Sequence, residues 1–594
     1  MFATVALLVP LGLEFPLLNS DGDVARHLRH GLTMLDQHAL IHADPFSFTR
    51  PGAPFLGFEY GSQLVLALAH RAGGLAGVAI FAGLLLGAVY ALLAAFLLRR
   101  GVDPVLTFLV TMASVVLGSG HWLARPHLFT FLGIVLLLGL LEPRFKRNVW
   151  LGLPLFAVWA NLHGGWLLGL IVIGVYAAGA ALETLTANSP SARARWIRET
   201  RSLCLLLGLG AIATLLNPHG LALAGHVAGF FADPYIVNNT AEFQSPNFHE
   251  PWARAFLLVL LVLLGALALT RRRPTWPRLL LIAAGVGLAL VSRRNIPIFA
   301  LTALPVAALH LAPEWAALPD PRAFRANFAR SARQAVSWPW ITATAAAMAA
   351  LGFSHGRIGN AQVVGDSFSA RLFPTAVVAR ARRDGETGRL FTDFSWGGYI
   401  LYAWPEQKVF IDGGTDFYGP GLLEEYQRIM RLDPGWRERL DHWRIDLLLL
   451  KPRSALAHEA MRDGDWQLVD CDSVGALLRR RAAPDTAARS VALSADSAEA
   501  SLDACAPPSG DGSESYSLRP LGNAEQRQAP RQADAVGEAA FGAQDGREDR
   551  VHGRAVHSEI GLTPPVSGAQ PLHQPPRANH RKERGIPVRE ADEA

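Results

Sequence analysis

Two aspartates and two histidines open a polar segment that directly follows the first apolar stretch of this 594-residue chain. The first part of the segment reads SDGDVARHLRHGLTML. Helical spacing from Asp23 sets His27 and His30 about one and two turns further on. Asp21 lies two residues upstream of Asp23. Carboxylates and imidazoles are the side chains that move protons near neutral pH. The spacing therefore predicts acid–base chemistry at one surface of the molecule.

Two more acids, Asp44 and Glu59, lie further along the same polar segment, residues 19–60. An aspartate is a favoured helix N-cap, which would account for one of the early acids. Capping does not explain acids and imidazoles together beside a membrane, where unpaired charge is costly. We favour a functional role over a capping role for these residues.

Arginines and histidines recur at the ends of later apolar segments. Arg293 and Arg294 suit a phosphate, because the guanidinium fork is planar and permanently charged. Snorkelling to lipid headgroups is an equally good interpretation of both. His163 in NLHGGW and His219 in NPHG lie at predicted turns of the same depth, which indicates a shared polar pocket. Their spacing is not that of an HExxH zinc site, so no transition metal is predicted.

Asp412 and Asp416 lie in VFIDGGTDFYGPG, a glycine-rich turn after a predicted strand. Structural turn chemistry is the favoured interpretation, and contact with an acceptor or partner is the alternative. The segment matches neither dinucleotide nor P-loop patterns, so no nucleotide site is predicted.

Composition indicates a membrane protein. Hydrophobic residues make up 51% of the chain and charged residues 18%, against about 25% in ordinary soluble proteins. Mean hydropathy is +0.22, and the apolar residues come in long blocks. The net charge of +5 does not indicate nucleic-acid binding, because the arginines cluster in short loops between those blocks.

A membrane-spanning helix needs about 20 mainly apolar residues. About eleven spans are predicted, near 2–18, 74–98, 104–120, 126–142, 149–163, 164–185, 203–217, 254–270, 277–292, 296–312 and 337–352. A shorter apolar stretch, 61–72, is predicted to lie at the membrane interface. The apolar N-terminus lacks a basic region and a cleavage site, and it is predicted to be the first helix.

Charge orients these spans, because cytoplasmic loops retain Lys and Arg. With the loop after the first helix outside, all major basic clusters of the connecting loops fall inside. These clusters are Arg99 and Arg100; Arg144, Lys146 and Arg147; Arg193, Arg195, Arg198 and Arg201; Arg271 to Arg273; and Arg322, Arg325, Arg330 and Arg333. Arg125, Arg293 and Arg294 are exceptions at predicted outer helix ends.

Three regions follow: a membrane region at 1–352 containing the outer loop 19–60, an α/β domain at 353–481, and a tail at 482–594. Short apolar runs between turn formers predict buried strands in the second region, and GPGLLEEYQRIMRLD has helical spacing. An odd number of spans places this domain outside the cell. The tail is poor in aromatics and is predicted to be disordered. The cysteines, Cys204, Cys471 and Cys505, predict neither a zinc site nor a disulfide framework.

A resemblance to a known family is carried by SDGDVARHLRHGLTML and by the later stretch DPFSFTRPGAPFLGFEYGSQLVLALAHRAGGLAGVAIF. Together they resemble the opening of bacterial GT-C fold glycosyltransferases of the mannosyl- and arabinosyltransferase-like superfamily. WANLHGGW, LLNPHG, EFQSP and SRRNIPIFALTALP are also similar to segments of that group. The resemblance covers about residues 1–480 and implies a polytopic membrane enzyme of the bacterial cytoplasmic membrane that uses a polyprenyl-phosphate-linked sugar.

The resemblance also implies an acidic catalytic residue in the loop after the first helix. Counting back eleven positions from Met34 selects Asp23 as the general base, with Asp21 as the second choice. The sequence departs from the common pattern, in which the aspartate is followed directly by another acid, since Val24 follows Asp23. Asp44 or Glu59 would position the acceptor or a metal ion. Whether the reaction uses a divalent cation is therefore left open. His27, His163, His219, Arg293 and Arg294 complete the expected substrate site.

The resemblance thus predicts an inverting transfer to a glycan, lipid or protein acceptor in a membrane-lipid environment. A transporter or lipid flippase is the first alternative, although transporters usually hold functional charges near the bilayer midplane. A non-catalytic scaffold with the same fold is the second alternative.

Overall fold

The computed structural model describes residues 1–12, 17–19, 22–142, 148–334, 338–481, 502 and 504–505. The chain clusters into one unit of Met1–Glu525 and another of Gln526–Ala594, and the second contains no described residue. Asp21 and nearly all of the predicted tail 482–594 therefore lie outside the described residues. The same holds for the predicted basic cluster at residues 144–147.

Helices dominate the chain up to residue 353, as its apolar blocks predict. Several begin at a residue suited to that place, as α4 does after Asp103, whose carboxylate accepts the N–H of Val105 at 2.9 Å. The helices are α1 Phe2–Leu8, α2 Asp23–Gln37, α3 Tyr60–Arg99, α4 Pro104–Ser119, α5 His127–Leu141, α6 Gly152–Leu162, α7 Trp166–Thr186, α8 Pro190–Ala213, α9 Leu221–Ala232, α10 Pro234–Asn239, α11 Pro251–Leu269, α12 Trp276–Val291, α13 Ile296–Ala317, α14 Phe324–Gln334 and α15 Trp338–Phe353. Short 3₁₀ turns occupy Val149–Leu151, Ala241–Phe243, Arg293–Asn295 and Pro321–Ala323.

Four helical segments in the described part of the chain are long and apolar enough to cross a membrane: Tyr60–Arg99, Trp166–Thr186, Pro251–Leu269 and Arg293–Ala317. The protein is thus an α-helical membrane protein. Each predicted span from residue 74 onward coincides with at least part of a helix, but several of these helices are shorter than a full span. The count of eleven therefore stays a prediction. α9 is a further apolar helix that the sequence analysis did not anticipate.

The first predicted span is only partly described. Its residues 2–8 form α1, turns follow to residue 12, and residues 13–16 are outside the described part. The predicted interfacial stretch 61–72 is helical and continues into the following span as α3. A break at Gly73 and Gly74 separates the two halves, and Gly74 has a left-handed φ of 61°. Asp366 accepts the N–H of Ala76 at 2.9 Å and so caps the second half.

Alternate loops meet at opposite ends of the helical bundle. At one end, ion pairs join Glu142 to Arg278 at 2.7 Å and Glu183 to Arg273 at 3.6 Å. These residues lie in or beside loops that the charge pattern predicts to be cytoplasmic. The loops predicted to lie outside meet each other at the other end, where the polar cluster described below is found. This alternation is what an up-and-down bundle requires.

The α/β region, residues 353–481, contains strands β1 Arg357–Ile358, β2 Ala361–Gln362, β3 Leu390–Thr392, β4 Leu447–Leu450, β5 Trp466–Cys471 and β6 Ala476–Arg480. Its helices are α16 Thr375–Arg383, α17 Phe394–Ala403, α18 Thr415–Met430, α19 Trp436–His442 and α20 Ala455–Asp463. Four strands form one sheet in the order β3-β4-β6-β5, with β3 parallel to β4 and the other pairs antiparallel. These elements cluster with the membrane helices in one unit, so the boundary at residue 352 and the placement of this region outside the cell stay predictions.

The polar loop 19–60 is attached to the α/β region. Ser47 and Val409 form a parallel bridge, and Val409 also bridges Leu390 of β3. Gly22 and Gly398 pack backbone to backbone, because a Cβ on Gly398 would overlap the Gly22 carbonyl. The loop that carries Asp23 is thus held between the membrane helices and the sheet.

The structure contains one disulfide that the cysteine spacing did not predict. Cys471 on β5 forms a disulfide with Cys505, and their Cα atoms are 5.7 Å apart. The two are 34 residues apart, and their meeting depends on how the sheet folds rather than on a spacing motif. Disulfides persist in oxidising compartments, so this bond agrees with the predicted placement of the region outside the cytoplasm. Cys204 is a free, exposed cysteine.

Candidate functional site

One face of α2 builds the centre of the site. Asp23, Arg26, His27 and His30 follow the three- and four-residue spacing that places side chains on one side of a helix. This face is covered by α3 and by the α/β region. Gly31 allows the close approach to α3, since a Cβ there would overlap the Gln63 backbone. Helix α2 is thus fixed on both sides, and its polar face points into the protein.

An ionic chain, formed by Arg26, Asp23, Arg125, Glu242 and Arg294, crosses this end of the bundle. Asp23 Oδ1 lies 3.5 Å from Arg26 Nε, and Asp23 Oδ2 lies 3.1 Å from Arg125 Nη2. Arg125 Nη1 lies 3.5 Å from Glu242 Oε1, and Arg294 Nη1 lies 3.8 Å from Glu242 Oε2. Beyond α2, the members stand in the loop before α5, the 3₁₀ turn Ala241–Phe243 and the 3₁₀ turn Arg293–Asn295. Three arginines and two carboxylates from four separate segments therefore pair with one another.

Burial and neighbouring charges shift the acidity of these groups in opposite directions. Burial raises the pKa of Asp23, although Arg26 works against that rise. Burial also opposes ionisation of Glu242, but Arg125 and Arg294 together lower its pKa to about 2. Burial lowers the pKa of Arg125 to about 10. At neutral pH Glu242 and Arg125 carry charge, and Asp23 is a stronger base than an aspartate in water.

Glu59 is a second buried acid, and no arginine pairs with it among the described contacts. Its Oε1 lies 3.5 Å from His163 Nε2, and its Oε2 lies 3.7 Å from His27 Nδ1. Burial raises the pKa of Glu59 to about 8, against a smaller opposing effect of Arg26. The same surroundings hold the pKa of His27 well below its ordinary value, mainly through burial. Glu59 and His27 are therefore both mainly uncharged at neutral pH.

A narrow cleft lies between the polar loop and the α/β region. Its lining includes Arg26, His30, Asp44, Phe46, Phe55, Glu59, Asp412, Asp416, Phe417 and Tyr418. Burial raises the pKa of Asp412 to about 6, and its carboxylate accepts hydrogen bonds from Gly414 N–H at 2.7 Å and Tyr418 O–H at 3.2 Å. His226 Nε2 lies 3.1 Å from Asp416 Oδ2. The cleft is thus acidic and aromatic.

The structure brings most of the predicted site residues to this end of the bundle. Asp23 and Arg294 belong to the ionic chain, and His27 and His163 contact Glu59. The chemistry of these residues in substrate binding or catalysis stays a prediction.

Other predicted residues have different surroundings. The Asp44 carboxylate lines the cleft but accepts the N–H groups of Phe46 at 2.9 Å and Ser47 at 3.1 Å, which is local turn chemistry. The backbone N–H of Arg293 donates to the Gln244 carbonyl at 2.9 Å, and this hydrogen bond stabilises the 3₁₀ turn that contains Arg293. His219 lies in the loop before α9, where its N–H is donated to Asn217 Oδ1 at 2.7 Å. Asp21 is outside the described residues.

Five residues at this end of the bundle were not predicted to have site roles: Arg26, Arg125, Glu242, Asp412 and Asp416. Arg125 gave a signal, because it was an exception to the charge rule at a predicted outer helix end. Asp412 and Asp416 stood in a recognised glycine-rich turn. Glu242 had no local signal beyond its place in the EFQSP segment. Among the described residues, no group of three His, Cys, Asp or Glu side chains is arranged to hold a metal ion.

Comparison with known proteins gives little beyond the backbone. No protein-family profile matches the chain, and no curated protein sequence matches it. Among solved structures, the archaeal oligosaccharyltransferase AglB from Archaeoglobus fulgidus, in complex with an inhibitory peptide and a dolichol-phosphate, is 12% identical, with 76% of this chain and 68% of that chain covered and a TM-score of 0.48. The apo form of the Archaeoglobus fulgidus oligosaccharyltransferase is similar at 12% identity, with 76% and 69% covered and a TM-score of 0.45.

Proposed function

We propose that the protein is a membrane glycosyltransferase that moves a sugar from a polyprenyl-phosphate carrier to an acceptor outside the cytoplasm. The observation that carries this proposal is the ionic chain. It holds a buried carboxylate, Asp23, beside guanidinium groups at one end of the apolar helices. A base next to phosphate-binding cations is the combination that this transfer needs.

The proposed sugar transfer assigns one role to each end of the ionic chain. Asp23 takes the proton from the acceptor nucleophile as the acceptor bonds to the sugar carbon and the bond from that carbon to the phosphate oxygen breaks. The polyprenyl phosphate leaves with the electron pair. A positioned general base typically contributes about 10²–10⁴-fold to the rate. The carboxylate is suited to this role because burial raises its pKa while 24% of the side chain stays exposed.

Binding of the leaving phosphate is assigned to Arg294, at the other end of the ionic chain. Arg294 is 35% exposed, and Nη1 is its contact with Glu242. A guanidinium has five N–H donors, so Arg294 can bind phosphate while keeping that contact. Arg293 stands in the same 3₁₀ turn and is assigned a supporting role. We place the enzyme in the bacterial cytoplasmic membrane with the α/β region outside, as the arginine distribution and the disulfide favour.

The test compares two aspartates of α2. Asp23→Asn removes the base but keeps the shape of the side chain, and Asp36→Asn alters an acid whose side chain is 63% exposed and pairs with Arg71. Each variant is expressed in a strain that lacks the native gene, and surface glycans and lipid-linked sugars are measured. We expect Asp23→Asn to reach the membrane normally but to lose transfer, and Asp36→Asn to retain it.

The same measurement separates the alternatives. Full glycan assembly with Asp23→Asn would show that Asp23 is not the base. An inward-facing lipid precursor that accumulates in the deletion strain would indicate a flippase. An unchanged glycan profile in the deletion strain would indicate a scaffold.

A further inference from the structure

A line of hydrogen bonds runs from the helix bundle to His163, whose ring faces Glu59. The members of this neutral chain are Trp159, Thr130, His163 and Glu59. Trp159 Nε1 is 3.0 Å from Thr130 Oγ1, which is 2.7 Å from His163 Nδ1. The N–H of Gly165 also lies 3.0 Å from His163 Nδ1. All these contacts are within hydrogen-bonding distance.

The direction of this line is fixed by two N–H groups that can only donate. The indole N–H of Trp159 donates to Thr130 Oγ1, and the backbone N–H of Gly165 donates to His163 Nδ1. The Thr130 hydroxyl therefore donates its own proton to the same nitrogen. His163 Nδ1 is therefore an acceptor, and in the neutral imidazole the proton lies on Nε2. That Nε2–H faces Glu59 Oε1 at 3.5 Å.

The other oxygen of Glu59 faces an acceptor. Gln63 Nε2, which only donates, lies 3.2 Å from His27 Nδ1, so this nitrogen carries no proton. Glu59 Oε2 is 3.7 Å from the same nitrogen. A proton on Glu59 therefore belongs on Oε2, because Oε1 faces a donor. Burial raises the pKa of Glu59 to about 8, so at neutral pH the proton is present.

Glu59 also lines the cleft between the polar loop and the α/β region. Its distances to both imidazoles are longer than hydrogen bonds, so the carboxyl group keeps bonding capacity for a ligand. A neutral carboxylic acid donates one hydrogen bond and accepts another, which matches a hydroxyl group.

We propose that Glu59 is a positioning residue whose carboxylic acid, oriented by His163, hydrogen-bonds the hydroxyl group of the acceptor while Asp23 takes its proton. The inference rests on the proposed glycosyl transfer and narrows its acceptor to a hydroxyl-bearing molecule. Glu59 exchanges no proton with the substrate in the net reaction. Its role is to hold the nucleophilic oxygen in place, and misplacement of a reacting group costs up to about 10²-fold in rate.

The first experiment does not depend on activity. The purified full chain, reconstituted in lipid, is followed by difference infrared spectroscopy as the pH rises. We expect the carbonyl band of a protonated carboxylic acid to disappear as the pH passes about 8. Glu59→Gln should remove this titration. Glu424→Gln, at an exposed glutamate of α18 that pairs with Arg428, should keep it. A titration that persists in Glu59→Gln would overturn the assignment of the proton.

The second experiment measures transfer against pH in membranes that contain the same variants. Protonated Glu59 predominates below its pKa, so the wild-type rate should fall as the pH rises through about 8. Glu59→Gln should lower the rate up to about 10²-fold and abolish this fall. An unchanged pH profile in Glu59→Gln would overturn the positioning role. Activity that survives in Asp23→Asn would refute the proposed base instead, while the infrared result would still stand.

Discussion

Glu242 and Glu59 are two buried glutamates at the same end of the helical bundle, and their environments have opposite effects. Burial opposes ionisation of both. In the ionic chain, Arg125 and Arg294 overcome that effect and lower the pKa of Glu242 to about 2. In the neutral chain, histidines are the neighbours, and the pKa of Glu59 rises to about 8. One acid is kept charged and the other is kept protonated.

The difference shows how one buried site obtains both a base and an acid. A guanidinium in contact with a carboxylate keeps it ionised, and a neutral imidazole does not. The ionic chain depends on partners from distant segments, so removal of one partner leaves others uncompensated. The neutral chain depends on hydrogen-bond direction, and its loss has a smaller energetic cost. Three substitutions test this contrast.

Arg125→Ala should have the largest effect. It removes the partner that Asp23 and Glu242 share, and breaking a buried ion pair costs about 3–5 kcal/mol. We expect a strong fall in thermal stability in detergent and loss of transfer. Arg254→Ala, at an exposed arginine of α11, is the matched control and should change neither. Wild-type stability in Arg125→Ala would show that the ionic chain does not hold the helix ends together.

The stability of the protein in acid should depend on Glu242. The pKa of Glu242 is depressed from its ordinary 4.5 to about 2, so its stabilising contribution is present above about 4.5 and is lost as the pH falls through 2. Arg125→Ala removes one cause of the depression. The acid-dependent loss of stability should therefore be smaller in this variant than in the wild type, and it should be complete at a higher pH.

Gly413→Ala should have an intermediate effect, mainly on activity. A Cβ at this position would overlap Asp23 Oδ1, so the carboxylate must leave its present position, where it pairs with Arg26. We expect up to about a 10²-fold loss of transfer with little loss of protein in the membrane. A Cβ on Gly421, in α18, meets no atom within 4 Å, so Gly421→Ala is the control. Equal activity in the two variants would contradict the assignment of Asp23.

Thr130→Val should have the smallest effect. It keeps the shape of the side chain but leaves the buried Trp159 N–H without an acceptor, which costs about 1–3 kcal/mol. Thermal unfolding should show this loss. Thr107→Val is the control, because Thr107 Oγ1 is buried and has no hydrogen-bond partner among the described residues. A similar result for the two variants would indicate that the neutral chain does not stabilise the fold.

Local sequence patterns account for much of the architecture. Apolar blocks predict most of the long helices after residue 74, although not α9, and turn formers around short apolar runs predict strands such as β4, whose four leucines are all buried. Helical spacing also predicts the polar face of α2, because period and residue type are local properties. The break of α3 at Gly73 and Gly74 was partly anticipated by the separation of 61–72 from the next span.

Long-range partners were beyond such patterns. Asp23 meets Arg125 through the packing of separate helices, and no periodicity links the two residues. The disulfide between Cys471 and Cys505 was missed for the same reason. Glu59 was a predicted site residue, but its environment depends on His163 and His27, which reach it from different elements. Residue type indicates candidate chemistry, and only tertiary packing sets the protonation state.

The order of the ionic chain along the sequence has a consequence for biosynthesis. A chain is synthesised from its N-terminus, so Asp23 is made first, Arg125 and Glu242 follow, and Arg294 comes later. Gly413, which packs against Asp23, is made last of all. A nascent chain that stops before this residue lacks a complete site. The protein therefore gains its reactive centre only after residue 413 has been synthesised, when most of its helices are already available to enclose it.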